Sequence, residues 1–391
     1  MDPFTHSLVG LTAAKAGLQR LSPWATTVCV LAANSPDSDI VVGLTTDRWN
    51  YLHHHRGITH SIVGVIALAV IIPSLVYFAA RAAAAIRKRP TDVRYRGLLI
   101  ASAIATATHP LMDWTNNYGV RPFLPWSARW FYGDLVFIVD PYIWLIVGGA
   151  AFLATSNRWP KIVGWSFIAA VLVIASFVAA SRPGAGVMSL QTVRIVLPAG
   201  IAVLALIRLL RLTINHEQKV AAAALCAIAF YWGGLAFVHR SAYKDAVHLA
   251  DAIAATSNER VLRVAAMPTL ANPFRWACVA ETDHAIYRFS IKLDDVPETA
   301  PHIVDGYSTR APDAVERFQK PDARDAELIS QASQDRRARI LLGFARFPLA
   351  HVEDEGCVTQ TLVQFADLRY TEPGAGRGTF SLNVPVECAA K

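Results

Sequence analysis

Charge is what this chain lacks most. Asp, Glu, Lys and Arg make up 17% of its 391 residues, against 53% hydrophobic residues. A soluble domain carries about a quarter charged residues, so a wholly water-solvated chain is excluded and lipid is implied as a solvent. Acidic residues are the scarcer sign: 30 Asp and Glu face 37 Lys and Arg, a net charge of +7. The basic residues gather in a few short loops, as membrane topology requires, and not along a stripe that would bind nucleic acid. Cysteine is sparse. Five are present without a CxxC, which excludes thiolate zinc modules and a thioredoxin-type redox motif. Cys29 and Cys226 lie in apolar runs, whereas Cys278, Cys357 and Cys388 lie in the polar C-terminal third and allow at most one bridge. The opening MDPFTHSLVG has no basic region ahead of its apolar run, so no cleavable leader is expected. There is no GxSxG, and Ser61 has His60 only as its chain neighbour, so a serine triad is not supported.

What is present in abundance is the long apolar run. Stretches 58–80, 134–155, 160–181, 192–212 and 219–238 each reach the length needed to cross a bilayer, about 20 residues. A sixth, 97–113, is shorter and ends in polar residues, and 5–20 and 23–38 read as short or half-buried helices. Arg81, Arg87, Lys88, Arg89, Arg94 and Arg96 fall between two of these runs and mark a cytoplasmic loop. Alternation then puts Arg158 and Lys161 inside, and Arg208, Arg211 and Lys219 inside as well. On this count both ends of the chain lie outside.

After Arg240 the pattern changes. Residues 241–257 read as an amphipathic helix leaving the membrane, and the charged stretch 311–338 as a helix between strands. Short alternating runs such as VLRVAAM, AIYRFSI and TQTLVQFADLRY, separated by Pro, Gly and Asp, read as strands. The expected architecture is a polytopic α-helical membrane bundle of about six to eight helices over 1–240, followed by a small mainly-β (α+β) extracytoplasmic domain over 241–391. That domain carries no metal-ligand spacing: His284, His302 and His351 are scattered. A covering or substrate-guiding role is therefore expected for it, packed near the aromatic segment 114–133.

Chemistry concentrates in the first 119 residues. The elements are Thr5-His6, Pro36-Asp37-Ser38-Asp39, the run His53-His54-His55-Arg56-Gly57-Ile58-Thr59-His60-Ser61, His109-Pro110-Leu111-Met112-Asp113, and the Asn116-Asn117-Tyr118-Gly119 turn. His109 and Asp113 are four apart and share a helix face, which offers one nitrogen and one oxygen to a cation. Taken singly each has a bland reading: a cap, a solvated carboxylate, a surface imidazole. Jointly they do not, because the topology gathers His6, Asp37, His60, His109 and Asp113 on one side of the bilayer. Three imidazoles and two carboxylates suit zinc or manganese, singly or as a pair. His53, His54 and His55 are further ligands or a wet loop, with His55 the best placed of them.

These strings resemble the YdjM-like family of inner-membrane, metal-dependent hydrolases, whose motifs include an initial Thr-His, a Pro-Asp-x-Asp, a His-Arg-x-x-Thr-His-Ser and a His-x-x-x-Asp before a Tyr-Gly turn. The resemblance covers about residues 1–155 and makes His6, Asp37, His60, His109 and Asp113 the metal ligands. It implies an inner-membrane, multi-pass location. The ligand pattern is similar to that of zinc-dependent phospholipase C enzymes. Asn116-Asn117 stands where a Thr-Thr or Thr-Ser pair is more usual in the family, a departure on the substrate side of the turn.

Such a site supports metal-assisted hydrolysis. Asp39 is expected to hold the attacking water or take its proton, and Arg56 to grip a phosphate as a planar fork or to anchor the chain beside the membrane. Ligands near the outer helix ends favour a membrane lipid or lipid-linked phosphoester as substrate. Two alternatives stand beside this: a metal or ion transporter, and a metal-stabilised membrane scaffold whose β domain binds a partner.

Overall fold

The computed structural model describes residues 1–181, 187–293, 302–307, 314–353, 360–374 and 380–387. Its helices are α1 (Pro3–Lys15), α2 (Ala25–Asn34), α3 (Ile40–Thr45), α4 (Arg48–His54), α5 (Ile62–Ile86), α6 (Tyr95–Trp114), α7 (Pro141–Thr155), α8 (Trp159–Ala180), α9 (Val187–Leu209) and α10 (Glu217–Thr256). Strands β1 (Val261–Thr269), β2 (Asn272–Thr282), β3 (Ala285–Lys292), β4 (Ile303–Asp305) and β5 (Val315–Gln319) follow. Then come α11 (Ala326–Ser333), α12 (Arg336–Phe344), β6 (Pro348–Val352), β7 (Gln360–Asp367) and β8 (Ser381–Glu387). Two compact units result: 1–39, 56–238 and 268–273 form the first, and 40–55, 239–267 and 274–391 the second.

Among the described residues four helices are long and apolar enough to cross a membrane: Ile62–Ile86, Trp159–Ala180, Leu190–Leu209 and Glu217–Thr256. That is one fewer than the five clear runs in the sequence. The run 134–155 is the one that fails. Asp140 interrupts it, buried, with its carboxylate accepting from the N–H groups of Tyr142 at 2.8 Å and Ile143 at 3.1 Å, so the helix begins only at Pro141. The helix expected to leave the membrane at 241–257 is instead continuous with the last span in the 40-residue α10.

The first unit is organised by small residues. Ala14 of α1, Ala25, Ala32 and Ala33 of α2, and Leu98, Ala101 and Ala105 of α6 pack into one buried cluster. Side chains this small let helix axes approach closely where no water drives association. Gly10 shows how closely: a Cβ there would lie 2.6 Å from the Cys29 carbonyl oxygen. Local chemistry places the ends. Asp2 caps α1 by accepting from the Thr5 N–H at 2.9 Å, with Pro3 in the first turn, and the Ser61 hydroxyl caps α5 by accepting from the Gly64 N–H at 3.2 Å. Gly64 has no Cβ because one would overlap the Ile58 carbonyl, which lets the 3-10 turn Ile58–His60 fold back onto α5.

The second unit is mainly β. One sheet has the order β1-β2-β3-β5-β4 and the other β6-β7-β8. β2 and β3 pair antiparallel with Trp276 opposite Ile291, β4 and β5 run parallel, and Val363 of β7 faces Val384 of β8. Ala265, Met267, Val279, Ile286, Phe318, Phe347, Leu349 and Leu368 form its core. The charged stretch 311–338 is not the single helix its composition suggests. β5 occupies residues 315–319 near its start, where Glu316 sits directly opposite Arg288 of β3 and pairs with it, so the strand buries its charge in partnership. Cys357 and Cys388 lie outside the described residues, and Cys278 is a buried free thiol.

Candidate metal centre

Three separate elements deliver the cluster. α6 supplies His109 and Asp113 one turn apart, the 3-10 turn Ser35–Asp39 after α2 supplies Asp37, and the 3-10 turn before α5 supplies His60. Close packing of α2 against α6 brings the first two together, because His109 reaches the end of α2 and donates from Nδ1 to the Ala33 carbonyl at 2.6 Å. That bond fixes the tautomer and leaves the Nε2 lone pair facing inward.

The ligand atoms converge. His60 Nε2 lies 3.1 Å from His109 Nε2. Asp37 Oδ1 is 3.4 Å from each of those nitrogens. Asp113 Oδ2 is 3.3 Å from His60 Nε2 and 3.6 Å from His109 Nε2. Metal–ligand bonds of about 2.0–2.2 Å in a tetrahedron space neighbouring ligand atoms about 3.3–3.6 Å apart. Five of the six edges of such a tetrahedron are present, at 3.1–3.6 Å. These four residues form a cluster that can hold a metal ion.

His6 stands beside it. Its ring stacks on His109 with centroids 3.6 Å apart, and Nε2 lies 3.4 Å from Asp113 Oδ1, the carboxylate oxygen turned away from His60. Both ring nitrogens of His6 are buried without a hydrogen-bond partner. Burying polar atoms in this way is costly unless something engages them, and a cation bound among them removes the cost. The residues therefore fit a metal.

Electrostatics point the same way. Burial pushes the Asp37 carboxyl up, but hydrogen bonding with His109 and His60 outweighs it and holds the group below the usual carboxylate range. At His60 burial favours the neutral ring, yet Asp113 and Asp37 more than reverse that and raise its pKa. The pocket is built for positive charge. Asp37 is its most accessible acid, with 16% of its side chain exposed against 1% for Asp113, so solvent reaches the cluster from the Asp37 side.

Arg56 and Asp39 sit differently from the roles their types suggest. Arg56 is 1% exposed. Its Nη2 donates to Asp113 Oδ1 at 3.0 Å, its Nε lies 3.0 Å from Asp113 Oδ2, and its Nη1 donates to Asn116 Oδ1 at 2.9 Å and the Gly119 carbonyl at 3.1 Å. The Tyr118 ring lies 4.6 Å beneath the guanidinium. This fork is already engaged by the protein, so it holds Asp113 and is not free for a phosphate. The Arg56 backbone, at φ +52°, donates its N–H to Asp39 Oδ2 at 2.9 Å. A non-glycine residue persists in that region only when its surroundings over-determine it. Asp39 Oδ2 also lies 3.5 Å from His60 Nδ1, on the side away from the cluster, where it orients the ring. Met1 contributes its amino group to Asp113.

Of the other sequence candidates, His53 and His54 are exposed on α4, and the His55 ring stacks on Tyr51. One contributor had no sequence signal, the backbone carbonyl of Ala33. Thr59, whose hydroxyl lies 3.1 Å from His60 Nδ1, was visible within the string HRGITHS but not as a partner of that ring. Asn116 and Tyr118 were visible as a turn, but not as the seat of Arg56.

Residues 1–183 match the sequence model of the YdjM inner membrane protein family. The uncharacterized protein YfhP of Bacillus subtilis (strain 168) is 29% identical over 155 residues, which cover 37% of this chain and 43% of that protein. The chain thus spans less than half the length of that relative. No solved structure matches significantly.

Proposed function

We propose that the YdjM-matching membrane unit is a metal-dependent hydrolase acting on a phosphoester of a membrane lipid or lipid-linked substrate at the outer face of the membrane. The observation that carries this reading is the near-tetrahedral set formed by Asp37, His60, His109 and Asp113. His6 is assigned as a fifth ligand, from the opposite oxygen of Asp113. Zinc suits the mixed imidazole and carboxylate donors, with manganese the second choice. When bound, a divalent ion supplies the Lewis acidity that activates water and polarises a phosphoryl oxygen.

The protein's own groups do the rest. His109 is held in one tautomer by Ala33, and His60 is backed by Asp39 and Thr59, so two nitrogens arrive preorganised. Arg56 fixes Asp113 and compensates its charge. Asp37, the more exposed of the two carboxylates in the set, marks the side from which water would enter. A transporter reading is disfavoured, because the ionisable residues cluster at one end of the helices and do not continue along the spans as a relay. The β domain is assigned an accessory, extracytoplasmic role.

The test is metal analysis of detergent-purified protein, followed by a hydrolysis screen against lipid phosphodiesters and phosphomonoesters. Bound zinc near one or two equivalents, lost in Asp37→Asn and His109→Ala, together with turnover that a chelator abolishes, supports the reading. Metal bound in full without turnover on any lipid phosphoester would leave a scaffold role and overturn the hydrolase.

A further inference from the structure

We infer that the segment 116–133 is a lipid-binding platform, lying in the headgroup layer beside the metal cluster and selecting anionic phospholipid. Its depth is set by covalent and hydrogen-bonded neighbours. Ile62 is the first residue of a membrane span and follows His60 by two positions. Its N–H donates to the Pro122 carbonyl at 3.0 Å, which pins the segment at the mouth of that span. From the other side Arg56, which holds Asp113, also grips the Gly119 carbonyl. Segment and cluster therefore share one level, the boundary between hydrocarbon and water.

The exposed surface at that level suits a lipid. Trp126 is 79% exposed, and Phe123 at 46%, Ile58 at 49% and Ile62 at 51% stand out with it. Aromatic side chains at this depth are favoured because the ring is apolar and its edge is wet. Cations sit among them. The Arg121 guanidinium lies 4.6 Å over the Trp130 ring, and the exposed Arg129 lies 5.3 Å over Phe131. Val120 and Phe131 pair backbone to backbone in both directions at 2.9 Å, so the platform is a closed, ordered turn. An apolar face flanked by stacked guanidinium groups complements acyl chains topped by anionic phosphate. The inference deepens the hydrolase reading by naming the headgroup's charge. It rests on that reading only for the role of the bound lipid as substrate.

The experiment reads lipid contact without turnover. Full-length protein and its Trp126→Phe variant are reconstituted in vesicles whose lipids are brominated near the carbonyl end of the acyl chain or near its middle. The difference spectrum isolates Trp126. Stronger quenching by the shallow bromines is expected; no quenching from either depth places the segment in water and overturns the inference. A second arm compares brominated phosphatidylglycerol with brominated phosphatidylcholine at equal mole fraction. The parent should favour the anionic lipid, by about fivefold for each arginine near the surface, and Arg129→Gln should lose that share. Equal quenching by both headgroups overturns the anionic selection. Shallow quenching in a protein that hydrolyses no lipid keeps the platform and sinks the hydrolase, while chelator-sensitive turnover without quenching does the reverse.

Discussion

Replacing Arg56 by lysine keeps the positive charge and removes the planar fork. The guanidinium makes close contacts with both oxygens of the Asp113 carboxylate and donates to Asn116 Oδ1 and the Gly119 carbonyl, all within 3.1 Å. An ammonium has three donors on one centre and cannot span these acceptors from a single position. At least two buried charge-assisted bonds are lost, each worth about 1.5–3 kcal/mol. Arg56→Lys should therefore cost about 3–5 kcal/mol, the range seen when one member of a buried pair is removed or misplaced. Because Asp113 is thereby freed to turn, metal affinity should fall about 10–100-fold, as it does when groups behind a ligand are mutated. Thermal unfolding in detergent and competition with a zinc chelator measure the two effects. Parental stability and parental zinc affinity in Arg56→Lys would refute the positioning role. Normal metal binding with turnover lost would return Arg56 to the substrate phosphate.

Three further outcomes are expected. Gly10→Val puts a branched side chain against the Cys29 carbonyl; it should destabilise the protein by about 1–3 kcal/mol and lower bound metal, because the α1–α2 contact helps bring His6 to the cluster. Bound metal unchanged in a folded Gly10→Val protein would uncouple that packing from the site. Glu259 accepts from Arg317, Thr282 and Tyr287, and although burial pushes its carboxyl up, these hydrogen bonds outweigh it and hold the pKa below the ordinary value of 4.5. A depressed folded-state pKa stabilises above the unfolded value and is lost as pH falls through the folded one, so Glu259→Gln should flatten the acid side of the melting-temperature profile below about pH 4.5; an unchanged profile would exclude this network. Finally, a C-terminal alkaline phosphatase fusion should be active and a C-terminal fluorescent protein dark, with the reverse pair moving the metal cluster to the cytoplasm.

The sequence alone determined the solvent of this protein and the chemistry it collects. The apolar run 58–80 is legible because a bilayer demands length and hydropathy from contiguous residues, and the span found there is Ile62–Ile86. Alternation in runs such as AIYRFSI is legible because a strand's period is local. The residue types of the candidate site were legible too, since His60 and the His109–Asp113 pair stand out against apolar helices that have little reason to carry them. Other features were decided only in three dimensions. Asp140 ends a run that hydropathy alone would carry across the membrane, through two backbone hydrogen bonds no hydropathy sum contains. β5 accepts Glu316 because Arg288 lies opposite it, a partner set by sheet register. Arg56 reads as a fork for phosphate, yet it closes on Asp113, Asn116 and Gly119, residues 57 to 63 positions away. A side chain's type states what it can bind; which partner it meets depends on packing between helices, here on the absent side chains of Gly10 and Gly64.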